Sequence, residues 1–297
     1  GPEYKVWNGD FQKIDKIVRK DGRLYYAIYT PAELKWYLDD SRNLSAILMN
    51  DLVLGKDSLT PTEHNLYYWY GGRTGLCDTC IFDGNHHTIY GLRHSLFDSL
   101  GANLEWYELP GGRSYAYYMS EALVKDLNIR SALVEQYAGA IAQVNLGHIR
   151  NCPVQAKPFD TTQTMGGLVY SNYGSIDSAE FIFDINRDDS RNHDYNIAGI
   201  ASYNAFGASV TNAYAHGHVD IFQENNAFVR LSGIVGTGPG KMENVRNETS
   251  FNVTAYNVEL AGIARATGRV VNCANTGDIK ANSWGDLQRV AGSGLTN

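Results

Sequence analysis

Internal repetition at a period near 30 residues constrains this chain more than any other signal. Tyr137-Ala138-Gly139-Ala140-Ile141-Ala142 is echoed by Met165-Gly166-Gly167-Leu168-Val169-Tyr170 and Ile197-Ala198-Gly199-Ile200-Ala201-Ser202. Leu231-Ser232-Gly233-Ile234-Val235-Gly236, Leu260-Ala261-Gly262-Ile263-Ala264-Arg265 and Val290-Ala291-Gly292-Ser293-Gly294-Leu295 continue the series. Each reads apolar, small, glycine, then mostly aliphatic. Aligned this way, Gly139, Gly167, Gly199, Gly233, Gly262 and Gly292 lie 28, 32, 34, 29 and 30 residues apart. A second echo sets an aliphatic residue and a spacer before a small polar one: Ile149-Arg150-Asn151, Ile176-Asp177-Ser178, Val210-Thr211-Asn212, Met242-Glu243-Asn244 and Val270-Val271-Asn272. A third closes three repeats at His216-Gly217-His218-Val219, Thr249-Ser250-Phe251-Asn252-Val253 and Thr276-Gly277-Asp278-Ile279.

Three short apolar stretches per repeat, each bounded by Gly, Asn or Ser, predict an all-β chain. The expected architecture is a right-handed parallel β-helix (β-solenoid), in which each strand pairs with its equivalent about 4.8 Å away in the next coil. Helical repeats of similar period are disfavoured, because Gly and Asn recur throughout and apolar residues lack helical spacing. The composition agrees: charged residues are only 19%, while Gly reaches 30 and Tyr 20, residues suited to tight turns and pleated surfaces. The net charge of -7 argues against nucleic acid and anionic membrane surfaces. No apolar run is long enough to span a bilayer, so direct membrane insertion is not expected.

Residues 1–2 (Gly-Pro) read as an expression-tag remnant, 3–112 as an N-terminal cap with the first coils, and 113–297 as the repeat region of the same continuous solenoid. Thr30-Pro31-Ala32-Glu33 is a capping box with Pro at the first helical position, predicting a short helix to about Asp39 over the open core. Residues 45–54 read as a buried strand, and 82–92 as a tight turn followed by a strand. The chain stops at Asn297, just after a new repeat begins at Val290, so the solenoid is expected to continue in a longer protein.

Gly166-Gly167-Leu168-Val169 with Ile176 and Ser178 resembles the GLUG-type repeats of bacterial surface proteins, and Leu231 to Gly236 is the next nearest match. The N-terminal part also resembles the leader of such proteins, through Trp7-Asn8-Gly9, Thr30 to Leu34, Asp51-Leu52 and Phe82 to Ile89. The resemblance implies a β-helix in a large exported protein, either an adhesin or a non-catalytic part of a surface metallopeptidase. It also implies a bacterial cell-surface or secreted location. Ala140-Ile141-Ala142 and Tyr170 depart from the motif at wall positions.

The sequence has neither a Gly-x-Ser-x-Gly elbow nor a His-Glu-x-x-His helix, and Gly233 to Gly238 lacks the strand-loop-helix setting of a phosphate loop. Cys77 and Cys80 form a lone Cys-x-x-Cys that either bridges locally or stays reduced. Cys152 and Cys273 stand 121 residues apart. Four coils put them roughly 19 Å apart, beyond the disulfide limit of about 7 Å, so both are expected to be unpaired and buried. No cofactor is expected, save that Asp184, Asn186 and Asp188 match the first three positions of a calcium loop. Asp189 and Tyr195 break the pattern where Gly and Glu belong. The stretch reads as a solvated corner loop, a cation site, or a pair of acid and base carboxylates. His86-His87 and His216-Gly217-His218 read as turn and corner residues in preference to metal ligands. Tyr67, Tyr68, Trp69 and Tyr70, with Tyr115 and Tyr117, are aromatic residues in predicted loops, suited to sugars or protein hot spots or to packing of the cap.

These features favour a cell-surface adhesin or binding and spacer module that presents loops to a host glycan or host surface protein, alongside further domains of its own polypeptide. A polysaccharide lyase or glycoside hydrolase on a β-helix scaffold is the enzymatic alternative, although no catalytic set is evident.

Overall fold

A computed structural model describes residues 7–40, 44–54, 75–102, 104–118, 120–189 and 193–292. The protein is all-β, with 55% strand, 4% helix and predominantly parallel sheets. Successive strands return to the same ladder roughly once per repeat. One short ladder comprises Phe97–Leu100, Ala142–Asn145, Val169–Asn172, Ala201–Asn204 and Val235–Thr237, all parallel. A second comprises Thr164–Gly166, Tyr195–Ala198, Phe228–Ser232, Asn257–Ala261 and Gln288–Ala291. The long ladder includes His148–Pro158, Ser175–Asp189, Tyr214–Gln223, Ser250–Ala255 and Ile279–Ser283.

Alternation along each strand sends apolar side chains to one shared core. Met165, Ile197, Leu231 and Leu260 align in register in the second ladder and are buried. Val219, Phe251 and Ile279, from the third sequence echo, likewise share one column.

The two short ladders meet at the glycine motif. A Cβ on Gly167, Gly199, Gly233 or Gly262 would fall 1.9 to 2.1 Å from the carbonyl oxygen of the next glycine in the column. Glycine is therefore required for space there, since a side chain would enter the backbone of the next level. The first member differs from the sequence alignment. Ala138 pairs with Met165 and Ala142 with Val169, so Ala140, not Gly139, is level with Gly167. The register follows the aliphatic pair Ile141 and Leu168, whose backbones bond at 2.9 Å, rather than the glycine letter.

The second echo marks another kind of corner. Asp126, Asn151, Ser178, Asn212, Asn244 and Asn272 all have φ between 51° and 54°, and pairing places them in one column. Short polar side chains tolerate this left-handed conformation best among non-glycine residues. Several also bond along the column: Asn151 Nδ2 donates to Asp126 (2.8 Å) and Asn272 Nδ2 to Asn244 (2.6 Å). Inside the fold, Asn145 donates to Asn172 (2.9 Å) and Asn172 to Asn204 (3.0 Å), all three buried. Each amide satisfies its neighbour, as burial requires.

At the N-terminal end the helix Pro31–Asp40 forms as predicted. Thr30 Oγ1 accepts from the Glu33 N–H, and the Glu33 carboxylate accepts from the Tyr29 N–H. Leu34, Tyr37 and Leu38 seat it on the core. The single strand expected over 45–54 is two strands, Ala46–Leu48 and Leu52–Val53, because each pairs with a different partner, Ile81–Asp83 and Thr88–Tyr90. The Arg113–Tyr118 segment, expected as loop, is a strand paired antiparallel with Leu104–Leu109. Tyr115 and Tyr117 lie opposite Tyr107 and Glu105, around a turn at Gly111 and Gly112, both at positive φ. Among the described residues no helix is long and apolar enough to cross a membrane.

Candidate functional site

Side chains on the outer faces of two sheets that meet at a convex corner point apart. At the glycine corner they converge. The outward column of the second ladder runs Thr164, Asn196, Arg230, Glu259 and Arg289, with Tyr137 one level earlier through its N–H bond to Thr164. Tyr170 from the first ladder packs edge-on to Tyr137 across the corner, ring centroids 5.6 Å apart. Two levels beyond the Ser202 that pairs beneath Tyr170, Arg265 crosses the same corner. Its guanidinium donates to Asn196 Oδ1 (2.9 Å) and lies 3.7 Å from Glu259. The corner is therefore re-entrant and forms a groove running along the stack. Ala198, Ser232 and Ala261 are buried along its floor. From Tyr137 to Arg289 the groove extends about 24 Å, at roughly 4.8 Å per level.

The two ends of the groove differ in chemistry. Tyr137 is half exposed at one end and holds φ +57°, a conformation in which a bulky side chain is strained. Burial, then proximity to Tyr137, raises the Tyr170 hydroxyl above the usual tyrosine range. Nearby on the first ladder, Tyr173 and Tyr203 form a second edge-on pair at 6.3 Å, and Tyr203 and Phe206 are exposed. At the other end Arg230, Arg265 and Arg289 surround Glu259. Sequence reading missed this site. Tyr137, Tyr170 and Arg265 sit inside or beside the repeat motif, but only the sense of the corner brings them together.

The outer face of the long ladder is a second polar surface. Glu180 bonds His216 at 2.6 Å, and His216 stacks on Tyr214 at 4.6 Å. Asp184 pairs with Lys157 (3.1 Å) and His218 (3.3 Å). The stretch expected as a corner loop at 184–189 is strand. Asp184, Asn186 and Asp188 stand in a row on one face, successive members about 7 Å apart, whereas a calcium loop curls its ligands around one point. No group of three or more His, Cys, Asp or Glu side chains able to hold a metal occurs among the described residues. His86 and His87 each lie beside a carboxylate, Asp126 (3.9 Å) and Asp51 (3.0 Å).

Tyr67, Tyr68, Trp69 and Tyr70 lie outside the described residues. Tyr115 and Tyr117 belong to the antiparallel hairpin, away from the groove residues in sequence and pairing. Cys77 and Cys80 form a disulfide. Cys152 and Cys273 are unpaired. Cys152 is buried as expected, and its thiol is pushed up to about 12 by burial. Cys273 is only half-buried, because no strand covers its level among the described residues. Compared with protein-family models, with curated proteins and with solved structures, the chain matches none.

Proposed function

We propose that the chain is a right-handed parallel β-solenoid of the GLUG-repeat kind, and that it serves an exported bacterial protein as a binding module whose ligand is a glycan chain lying in the corner groove. The solenoid reading is supported by parallel strands recurring in register at each repeat, and right-handedness by the strong bias of parallel crossovers. The Cys77–Cys80 disulfide favours an oxidising, extracellular setting.

The observation that carries the functional reading is Tyr137. It is a strained, half-exposed aromatic residue at the mouth of a groove, paired with Tyr170. A position at φ +57° would be more stable as Asn, so the ring is explained by binding rather than by folding. Ring faces of this kind suit sugar rings.

Tyr137→Asn separates the two roles. On a glycan array the intact protein is expected to retain at least one glycan, and the variant to lose about tenfold in affinity, the cost of a lost aromatic anchor. Its melting temperature should stay level or rise. Absence of binding by the intact protein to the array and to host cells would overturn the reading, as would full binding by the variant.

A further inference from the structure

Arginines gather at the far end of the groove. Among the described residues, Arg230, Arg265 and Arg289 approach the carboxylate of Glu259 at 3.4, 3.7 and 3.5 Å. Each distance exceeds the roughly 2.7 to 2.9 Å of a direct charged hydrogen bond. Arg265 and Glu259 form the floor, with side chains 11% and 13% exposed, while Arg230 and Arg289 stand at 35% and 44% on the rim. The Arg265 Nε–H is buried without a partner, and so is the hydroxyl of Ser232 on the groove floor. Burial, then the charge of Arg230, disfavours the protonated Arg265 guanidinium. Two like charges, Arg230 and Arg265, held together in a partly desolvated site with the Arg265 Nε–H and the Ser232 hydroxyl unsatisfied, are costly unless a counter-charge arrives.

We propose that this end of the groove binds an oxyanion, so that the glycan of the functional reading is acidic and bears sulfate or carboxylate groups. This rests on the groove being the glycan site. Its aromatic end takes a ring face while its arginine end, about 14 Å further along from Tyr137 to Arg230, takes a charged substituent of the same chain. Guanidinium forks suit planar and tetrahedral oxyanions alike. The chain as a whole carries a net charge of -7, so attraction of a polyanion must come from this local cluster and not from the general field.

The test compares the full chain with Arg230→Gln, Arg289→Gln and Tyr137→Asn for binding to heparin, polygalacturonate, dextran and a poly-dT strand. Both arginines are on the rim, so their loss should leave folding intact; a circular dichroism melt checks this. Binding of heparin or polygalacturonate should exceed that of dextran, weaken as salt rises, and fall about tenfold in each arginine variant. Equal binding of an acidic polysaccharide by the arginine variants and the intact chain, with loss only in Tyr137→Asn, overturns the oxyanion site and leaves the groove reading standing. Undiminished binding in all three variants overturns both. Stronger retention of poly-dT than of either polysaccharide overturns the assignment to a glycan.

Discussion

The two corner columns of the protein solve the same problem by opposite means. At the glycine corner the backbone needs no left-handed turn, since none of Gly167, Gly199, Gly233 and Gly262 has positive φ. What it needs is room, because a Cβ would meet the next level's carbonyl at about 2 Å. At the asparagine corner the chain has room for a side chain but turns left-handed at φ near 52°. One column excludes side chains, and the other selects side chains that tolerate the turn and bond to each other. Only the first brings two sheets close enough for their outer faces to meet, so the groove lies there.

Substitutions break this comparison at different strengths. Gly199→Ala should be the most damaging, costing about 3 kcal/mol or more in a denaturation midpoint, because the Gly233 carbonyl lies 2.0 Å from the new methyl and backbone must move. Asn172→Ala comes next, at about 2 to 3 kcal/mol. It takes one of the two bonds of the buried Asn145 amide, which still donates to Ser175, and removes the Asn172 partner of the Asn204 side-chain carbonyl and of the Gly174 N–H. At the asparagine corner the order of replacements should invert: Asn212→Gly costs a few tenths of a kcal/mol and Asn212→Val about 1 to 2 kcal/mol, since a branched side chain strains at positive φ. If Gly proved worse than Val there, the conformational account of that column would fail.

The smallest effect is a pH dependence at the same corner. Burial works against the Asp177 carboxylate, but hydrogen bonds from Thr211, Asn212 and Ser178 outweigh it and hold its pKa below the usual range. A depressed folded pKa adds stability above the ordinary carboxyl pKa near 3.9, and that contribution is lost as pH falls through the folded value. The intact protein should therefore lose its small advantage over Asp177→Asn below about pH 4. An advantage that grows on acidification would contradict the assignment.

Much of the fold was legible in the sequence because each corner demands a distinctive residue. The Asn-type column was found from Asn151 to Asn272 but not at its first member, Asp126, and the capping box at Thr30 marked the helix. The glycine column was found except at its first member, where Ala138-Gly139-Ala140 offers three small residues and no local rule selects among them. The strand character of 184–189 was hidden because Ile185 is the one apolar residue among Asp184, Asn186, Arg187, Asp188 and Asp189, a polar pattern that a solvated loop also shows. The groove was not legible at all. Whether Tyr170 and Arg265 lean toward the second ladder or away from it depends on the angle between sheets, which no residue encodes alone.

In-register stacking of successive levels is the claim on which the corners and the groove depend. Spin labels on the exposed asparagine column test it by electron-electron distance measurement, with Cys273 replaced by the valine its column carries at Val245 and Cys152 protected by burial. Pairs at 244 and 151, 272 and 151, and 272 and 126 are separated by three, four and five levels, and their distances should rise as about 14, 19 and 24 Å. Distances that fail to increase by a constant step per level would contradict the stacking, and with it the groove.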